Sequence, residues 1–395
     1  MILSQLKSQD LTTVVGSEME LLLCCARTQL DASTVARVKS LLNREVDFAE
    51  LDILADKHRV KPLVYQNLGK YATEAVNPIY FQQLRQECRY NSWRNMNLMN
   101  SLIEILRLLE ANGIKAFSFK GPAFAASAYG NLSFRQIKDL DLLVAQDRFQ
   151  QTVDLFVGLG YSLIVEVPWE FHLESSDGSY SIDLHREIIP QHLSCVGISD
   201  YAWKHIELFT FQDKVIPTLT PEACLLILCL NGTKEYWQRL NRICDVAELI
   251  RSQPNLDWHQ VLEQSKTMGF KRLTFLGLIL ARNFLDAKIP NFVMREIQSD
   301  SKVDSLILEV SEKLLSQTWE PLGMVETTFF HIRTRERWRD KIKCFLGLMN
   351  HSGWISPSKN DLDFLPLPKF LYFIYFFIRP FRIIRKYSFG KSKSS

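Results

Sequence analysis

Two aspartates lie one residue apart inside an otherwise apolar stretch of this chain. Asp139 and Asp141 belong to the run DLDLLV at residues 139–144, and its alternation predicts a strand in which side chains i and i+2 leave from one face. Two such carboxylates repel each other unless a cation lies between them. Hard oxygen ligands suit Mg²⁺, with Mn²⁺ as a second candidate. The pair therefore indicates a metal site, and the alternative is a solvated pair at the edge of a strand.

A turn upstream of the pair has the residue types that bind phosphate. Lys120 and Gly121 follow a predicted short strand, and Pro122 suits the first position of a predicted helix. A glycine at such a turn lets phosphate approach free backbone N–H groups at the positive end of the helix. Arg135 lies four residues before Asp139 and would supply a second cation for a triphosphate. The alternative for Lys120 is an ion pair with an acidic neighbour.

A third carboxylate follows about forty residues after the pair. Asp183 belongs to the predicted strand SIDLH at residues 181–185, where Ile182 and Leu184 face the opposite side. An unpaired aspartate is costly to bury in an apolar strand, so a third metal-facing carboxylate is the use that we expect for it. The alternative is a carboxylate that caps a backbone group. His185 shares the face of Asp183, and we expect a hydrogen-bonded structural histidine there.

These residues lie in a region of mixed pattern between two helical regions. Residues 17–112 have helical periodicity that ends at Asn112 and Gly113, and helical periodicity resumes after Thr220, a predicted N-cap. The fold class indicated is α+β, a small mixed-sheet core between helical N-terminal and C-terminal regions. The predicted strands are residues 114–119, 139–144, 161–167, 170–175 and 180–188, with helices at 122–129 and 148–159. The predicted domains are residues 1–112, 113–215, 216–355 and an aromatic, basic tail at 356–395.

The helix predicted after the core carries three more candidate nucleotide contacts, namely Lys234, Trp237 and Arg239. Trp237 would stack on a base, Arg239 would contact a phosphate, and Lys234 is assigned to the nucleotide with them. The alternatives are a Trp237 that packs inside the protein and an Arg239 that pairs with Asp245.

The composition is that of a folded protein with a basic C-terminal end. The chain has 395 residues, 47% of them hydrophobic, and a net charge of +3, and this length favours two or three domains. Residues 364–395 contain seven Lys or Arg and no acidic residue. We expect this tail to meet an anionic membrane surface or to pack on the protein body.

Cysteine usage and hydropathy bear on the compartment. The eight cysteines form no CxxC pair, which indicates reduced, packed thiols rather than disulfides or a zinc site. We find neither a signal peptide nor an uncharged apolar stretch of about 18 residues. The predicted location is the cytoplasm, with a peripheral position at the inner face of the membrane as a second expectation.

The order of these motifs resembles a known superfamily. The segment FKGPAFAASAYG, then R-x-x-x-DLDLLV and then an IDLH strand resemble the nucleotidyltransferase superfamily that includes DNA polymerase beta. The resemblance is strongest to its branch of uncharacterised nucleotidyltransferases, because WQRLNRICDVAELI is similar to the helical segment that follows the catalytic core in that branch. It covers roughly residues 20–350.

The resemblance implies an Mg²⁺-dependent enzyme that transfers a nucleoside monophosphate from a nucleoside triphosphate to a hydroxyl acceptor. It makes Asp139 and Asp141 metal ligands and catalytic residues, and it makes Asp183 the third such carboxylate, which helps activate the acceptor hydroxyl. The acceptor is left open among small molecules such as sugars, proteins and RNA ends.

The resemblance also assigns the nucleotide phosphates. The turn at Gly121 would hold the β and γ phosphates, which Lys120 and Arg135 would neutralise. This chain departs from the superfamily's usual Gly-Ser or Gly-Gly by having Lys120 and Gly121 after the first strand, which removes a phosphate-binding hydroxyl. The competing hypothesis is therefore a non-catalytic scaffold with this fold that acts at a membrane or a protein partner.

Overall fold

The first part of the chain is helical. The structure, a computed structural model, describes residues 16–190, 193, 197–316, 324–351, 365–368, 371 and 374. Before the first strand, the described residues form α1 (Ser17–Cys25), α2 (Ala32–Leu42), α3 (Phe48–Lys57), α4 (Lys61–Tyr71) and α5 (Pro78–Ala111). The helical periodicity predicted for residues 17–112 is therefore confirmed.

Helix α5 begins and ends at signals that the sequence carries. The Asn77 side chain accepts hydrogen bonds from the backbone N–H groups of Ile79 and Tyr80, at 2.9 and 3.1 Å. Pro78 occupies the first turn, where its missing N–H costs no hydrogen bond. After the helix the chain passes through Gly113 with a φ of 67°, which glycine adopts without steric penalty. The predicted stop is confirmed.

A five-stranded mixed sheet follows α5. Its strand order is β1-β2-β5-β4-β3; β2 and β5 are parallel and the other neighbours are antiparallel. The strands are β1 (Ala116–Ser118), β2 (Leu140–Val144), β3 (Ser162–Val167), β4 (Glu170–Glu174) and β5 (Ser181–His185). Helices α6 (Gly121–Tyr129) and α7 (Phe149–Gly158) connect them. Each strand lies within a predicted one, and the predicted mixed sheet is confirmed.

A second, two-stranded sheet lies outside the sequence prediction. Helix α8 (Ile198–Lys204) leads into β6 (Ile206–Phe211), which pairs antiparallel with β7 (Lys214–Leu219). Gln212 and Asp213 form the turn between them with φ angles of 44° and 63°. A two-residue turn with both φ angles positive is typical of hairpins, but it usually contains glycine or asparagine. This turn contains neither residue, so no local pattern in the sequence indicates a hairpin here.

The C-terminal half is helical, with one break that the sequence analysis missed. Helix α9 (Pro221–Lys234) ends before a turn, and α10 (Leu240–Ser252) begins after it. Tyr236 and Trp237 have φ angles of 59° and 54° in this turn, so the prediction of a continuous helix through these residues is wrong. The remaining helices are α11 (Trp258–Thr267), α12 (Lys271–Leu285), α13 (Asn291–Gln298), α14 (Ser301–Leu315), α15 (Met324–Arg333) and α16 (Trp338–His351).

Two hydrophobic cores hold these elements. Leu21 and Leu63 from the N-terminal helices share one core with Leu225 and Leu276 from α9 and α12. The second core lies between the sheet and the C-terminal part of α5, which contributes the run from Leu98 to Leu109. Because the N-terminal part of α5 belongs to the first core, this one helix joins both.

Polar contacts also tie the N-terminal helices to the C-terminal ones. The Thr28 hydroxyl donates to Glu248 at 2.6 Å, and Arg27 pairs with Asp286 at 2.8 Å. Both contacts join residues more than two hundred positions apart in the chain. The two helical regions therefore pack around one another rather than standing apart.

The thiol prediction is confirmed for the cysteines that the structure describes. Seven are free, and all but Cys24 are buried; burial raises the pKa of the Cys24 thiol to about 11. Cys195 and most of residues 364–395 lie outside the described residues, so the membrane prediction for the tail is not tested. No described helix combines the length and apolar character needed to cross a membrane.

Candidate active site

The pairing of β2 with β5 brings two of the predicted carboxylates side by side. In the parallel register Asp141 lies opposite Asp183, and Leu143 lies opposite His185. Side chains in register on neighbouring strands leave from the same face. The alternate residues Leu140 and Leu142 are fully buried and hold the other face against the core. The apolar alternation of both strands thus fixes which side the carboxylates occupy.

Three side chains on this face form a group that fits a divalent cation. One ligand atom each from Asp141, Asp183 and His185 lies within 4.8 Å of the other two. Two carboxylates and an imidazole are ordinary ligands for a divalent ion. Asp141 is only 8% exposed, and a buried carboxylate requires compensating charge. The donor set therefore fits a divalent cation, with His185 as a ligand that the sequence analysis did not assign.

Asp139 lies just before β2 and outside this group of three. Its pKa is raised, first by burial and then by the charges of Asp141 and Asp183. The neighbouring negative charges act on it because the three carboxylates share one region. The structure thus brings together the three predicted carboxylates, with Asp141 and Asp183 in register and Asp139 beside them.

Two histidines hold the carboxylates in place. Nδ1 of His172 lies 2.6 Å from Oδ1 of Asp183, because β4 pairs with β5 and sets these residues opposite each other. Nε2 of His185 lies 3.3 Å from Oδ1 of Asp141. Nδ1 of His185 is 3.3 Å from Glu170 but has no hydrogen bond in the described structure. The structural role expected for His185 is thus combined with a place in the acidic group.

The predicted phosphate turn also adjoins this face. Gly121 has a φ of 70°, so the turn requires glycine there, and α6 begins at this residue. Lys120 precedes it and places its Nζ atom 3.3 Å from Oδ1 of Asp141. Burial would raise the pKa of Asp141, but Lys120 and then the hydrogen bond from His185 lower it. Lys120 therefore pairs with an acidic neighbour, the alternative that the sequence left open, at the place where a nucleotide is expected.

Lys234 approaches the same group from the end of α9. Its pKa is lowered, first by burial and then by the charge of Lys120, while Glu170, Glu235 and Asp141 act in the opposite direction. Within the described part of the chain its amine has no hydrogen bond or ion pair. A partly buried ammonium among these groups is available to an anion.

Arg135 does not occupy the position that the sequence analysis gave it. Its guanidinium forms two hydrogen bonds with Asp245, at 2.9 and 3.0 Å, and Tyr129 donates to the same carboxylate at 2.8 Å. Arg135 is 6% exposed and Asp245 is fully buried. The guanidinium is engaged in this pair, so it acts on the site only through its charge, which lowers the pKa of Asp141. Asp245 thus pairs with Arg135 rather than with Arg239, the pairing that the sequence analysis gave as an alternative.

Trp237 and Arg239, the other two candidate nucleotide contacts, do not lie with Lys234 beside the carboxylates. The Trp237 ring is fully buried, and its Nε1 donates to the Thr233 hydroxyl at 3.2 Å. A ring in the helical core has no free face for a base, so the packing alternative describes this tryptophan. Arg239 instead lines a cleft together with Arg59 and Lys138.

The sequence analysis missed His172 and Glu170. Both belong to β4, in the run EFHLE whose alternate residues Phe171 and Leu173 are buried. The alternation does indicate that positions 170, 172 and 174 share one face. Only the register with β5 shows that this face is the one with Asp183, and the sequence does not contain that register.

The fold and the site define a class of protein, in which a mixed sheet carries, on two adjacent strands, a group of acidic and histidine side chains that could hold a divalent cation. The family model for uncharacterised nucleotidyltransferases matches residues 44–286, which is more than half of the chain. This chain belongs to that family, as its motifs predicted.

Two further comparisons add little to this result. The crystal structure of an antigenic nucleotidyltransferase-like protein from Paracoccidioides brasiliensis is 16% identical, with a TM-score of 0.34, over 50% of this chain and 95% of that chain. The curated proteins give no match to this chain. The family assignment therefore depends on the family model and on the residues of the site.

Proposed function

We propose that this protein is an Mg²⁺-dependent nucleotidyltransferase that transfers a nucleoside monophosphate from a nucleoside triphosphate to a hydroxyl acceptor. The observation that carries the proposal is the register of Asp141 with Asp183 on adjacent parallel strands. Asp141, Asp183 and His185 would hold the metal, with Asp139 beside them, and Mn²⁺ is a second candidate. When bound, the ion supplies positive charge that offsets the charge of the reacting phosphates.

In the transfer, the oxygen of the acceptor hydroxyl forms a bond to the α-phosphorus. The bond from that phosphorus to the oxygen that bridges to the β-phosphorus breaks, and pyrophosphate leaves with the electron pair. The hydroxyl proton passes to the Asp183 carboxylate, which His172 holds at 2.6 Å. The acceptor hydroxyl is thus activated at a carboxylate that also belongs to the proposed metal site.

The remaining charged side chains act on the nucleotide phosphates. Gly121 opens α6, so a phosphate there would meet free backbone N–H groups at the positive end of the helix. Lys120 and Lys234 would neutralise the β and γ phosphates at close range, and Arg135 contributes charge at a longer distance. Arg239 remains a proposed phosphate contact at the edge of the site.

A thermal-shift and product assay tests the proposal. We expect ATP or another nucleoside triphosphate with Mg²⁺ to raise the melting temperature of the wild type but not of Asp141→Asn or Asp183→Asn. Incubation with candidate acceptors should release pyrophosphate, and either variant should lower the rate at least about 100-fold. Lys302→Gln, an exposed change on α14, is the matched control. Wild-type activity in the Asp141→Asn variant would contradict the mechanism.

One observation favours the scaffold hypothesis as the second candidate. The Lys120 amine lies 3.3 Å from Asp141 and compensates its charge as a bound metal ion would. The fold can therefore hold this buried carboxylate even if the protein is not an enzyme. A scaffold would have the same melting temperature with and without nucleotide and Mg²⁺, in the wild type and in Asp141→Asn alike. A cytoplasmic location and contact of the basic tail with an anionic membrane remain predictions for either candidate.

A further inference from the structure

A basic cleft adjoins the carboxylates on the side of Asp139. It has a volume of about 860 Å³, and we define it by Arg59, Tyr90, Arg94, Lys138 and Arg239, which all line it. These residues come from the loop after α3, from α5, from the segment before β2 and from the turn before α10. The cleft is therefore built by the tertiary structure, beside the site described above.

The cations of the cleft outnumber its acids. Lys57 lines it in addition to the four cations named above, and the acidic lining residues are Asp56 and Glu87. Glu87 already pairs with Lys61 at 2.7 Å, which leaves less negative charge inside the cleft. An excess of cations that converges on a concave surface attracts anionic ligands.

Two of these cations have no partner among the described residues. Arg59 and Lys138 make no hydrogen bond or ion pair through their side chains within the described ranges. The pKa of the Arg59 guanidinium is lowered, first by burial and then by Arg239 and Arg242. Like charges are thus held close together, and a bound anion would relieve their repulsion.

The cations around the carboxylates fall into two sets. Lys120 contacts Asp141, and Lys234 is close enough to Asp141 for the carboxylate charge to act on its amine. Arg59 and Lys138 instead line the basic cleft, and Lys138 directly precedes Asp139 in the chain. The first set lies at the start of α6, where the nucleotide phosphates are proposed to bind. The second set is therefore left for another phosphate-bearing ligand, and the proposed reaction requires one more ligand, the acceptor.

Aromatic rings at the cleft indicate what else this ligand carries. Tyr90 lines the cleft, and Trp93 lies one turn further along α5 with its ring 5.9 Å from that of Tyr90. Both are more than 60% exposed. Exposed rings beside a basic groove are the stacking surface that single-stranded nucleic acids use. A small phosphate compound would not require them.

We propose that the basic cleft binds the acceptor and that this acceptor is the 3′ end of a single-stranded nucleic acid. The inference rests on the proposed function, because it names the acceptor of that reaction. Backbone phosphates meet Arg59 and Lys138, and a base stacks on Tyr90. The 3′ hydroxyl is the group that attacks the α-phosphorus, so the strand gains one nucleotide as pyrophosphate leaves.

Fluorescence anisotropy with labelled RNA and DNA strands of about 12 nucleotides tests this site. The measurement is made in EDTA, so that binding does not depend on catalysis. We expect the wild type to bind the strands. Arg59→Gln and Lys138→Gln should each weaken binding roughly threefold to tenfold. Each should also reduce the slope of the logarithm of the binding constant against the logarithm of the salt concentration by about one, which corresponds to one lost phosphate contact. Tyr90→Ala should weaken binding at least about fivefold. Lys302→Gln, which removes an exposed lysine far from the cleft in sequence, should bind like the wild type.

Three results would overturn the inference. The first is a wild type that binds neither strand, and the second is equal binding by the cleft variants and Lys302→Gln. The third is displacement of the strand by ATP or tripolyphosphate that is lost in Arg59→Gln and Lys138→Gln, because the cleft would then bind the nucleotide phosphates instead of the strand. Strand binding through the cleft without pyrophosphate release in Mg²⁺ would instead sink the proposed function, and the acceptor role with it.

Discussion

The contact between His172 and Asp183 is the most local determinant of the proposed chemistry. The imidazole approaches the carboxylate at 2.6 Å from the neighbouring strand, while Asp141 on the other side is held by His185 and Lys120. A carboxylate fixed in this way keeps its orientation whether or not a ligand is present. Removal of a side chain that supports a metal ligand in this way usually lowers metal affinity or activity by about 10–100-fold.

We predict that His172→Leu lowers the rate of nucleotidyl transfer by about 10–100-fold and weakens Mn²⁺ binding, because Asp183 loses its partner. His172→Asn should recover part of both, since its amide can donate to the same carboxylate. Calorimetric titration with Mn²⁺ and pyrophosphate release measure the two effects. His259→Gln, an exposed change on α11, is the control, and an equal response of both histidines would exclude a positioning role for His172.

At the scale of elements, the turn between α9 and α10 depends on the close approach of a ring to two helices. A Cβ atom at Gly232 would lie 2.4 Å from the Trp237 ring, and one at Gly277 would lie 2.6 Å from the Cys229 sulfur. The ring thus fills the space that the missing side chains leave on α9 and α12. The positive φ of Trp237 turns the chain so that the ring reaches this space.

We predict that Gly232→Ala destabilises the protein by about 1–3 kcal/mol, because the ring must move within a packed core. Gly158→Ala is the matched control: a Cβ there would meet nothing within 4 Å, and the change should stabilise α7 by about 0.5–1 kcal/mol. Urea unfolding measures both. Similar effects of the two substitutions would show that the Trp237 packing does not limit position 232.

His58 couples the stability of α10 to pH. Its Nδ1 accepts a hydrogen bond from the Leu240 backbone N–H at 3.2 Å, so the bond requires the neutral ring. Burial, followed by the charges of Lys57 and Arg239, lowers the pKa of His58 to about 3. The unfolded chain therefore binds one proton more than the folded protein between about pH 6.5 and 3.

We predict that His58 stabilises the protein above about pH 6.5 and that this contribution is lost as the pH falls toward 3. The slope of this contribution should approach about 1.4 kcal/mol per pH unit. His58→Asn keeps an acceptor but does not titrate, so its free energy of unfolding should fall less steeply between pH 7 and 5. Parallel curves for the wild type and His58→Asn would argue against a neutral buried ring, and His259→Gln should leave the slope unchanged.

At the scale of the molecule, one buried ion pair joins the segment before β2 to the helical core. Arg135 lies four residues before Asp139, and Asp245 lies on α10. The Arg135 guanidinium and the Asp245 carboxylate compensate each other's charge, and Tyr129 also donates a hydrogen bond to Asp245. The pair thus sets the position of the strand that carries the catalytic aspartates relative to the helices behind it.

We predict that Asp245→Asn destabilises the protein by about 3–5 kcal/mol, because it leaves the Arg135 guanidinium buried without a counter-charge. The double change Arg135→Met with Asp245→Leu should cost less than the sum of the single changes. Urea unfolding of the wild type, Arg135→Met, Asp245→Leu and the double variant gives the coupling energy between the two side chains. Glu296→Gln, which breaks the partly exposed pair with Lys271, should cost under about 1 kcal/mol. An effect of that size for Asp245→Asn would contradict the assignment.

Much of the fold could be predicted because its signals are local. The alternation in DLDLLV and SIDLH predicts β2 and β5, the Lys-Gly-Pro turn predicts α6, and the Asn-Gly pair ends α5. The hairpin β6–β7 was missed because its turn contains neither glycine nor asparagine, and the break before α10 was missed because a tertiary contact of Trp237 causes it. Local patterns do not encode such contacts.

By itself the sequence determined the family, the mixed sheet between helices and the three carboxylates, since each of these depends on residue types at short spacing. Only the tertiary structure decided which charges meet. It gave Arg135 to Asp245, Lys120 to Asp141 and His172 to Asp183, and it gathered the basic cleft from four separate segments. The physical reason is that a strand shows which residues share its face, whereas the register with its neighbours and the packing of distant helices select their partners.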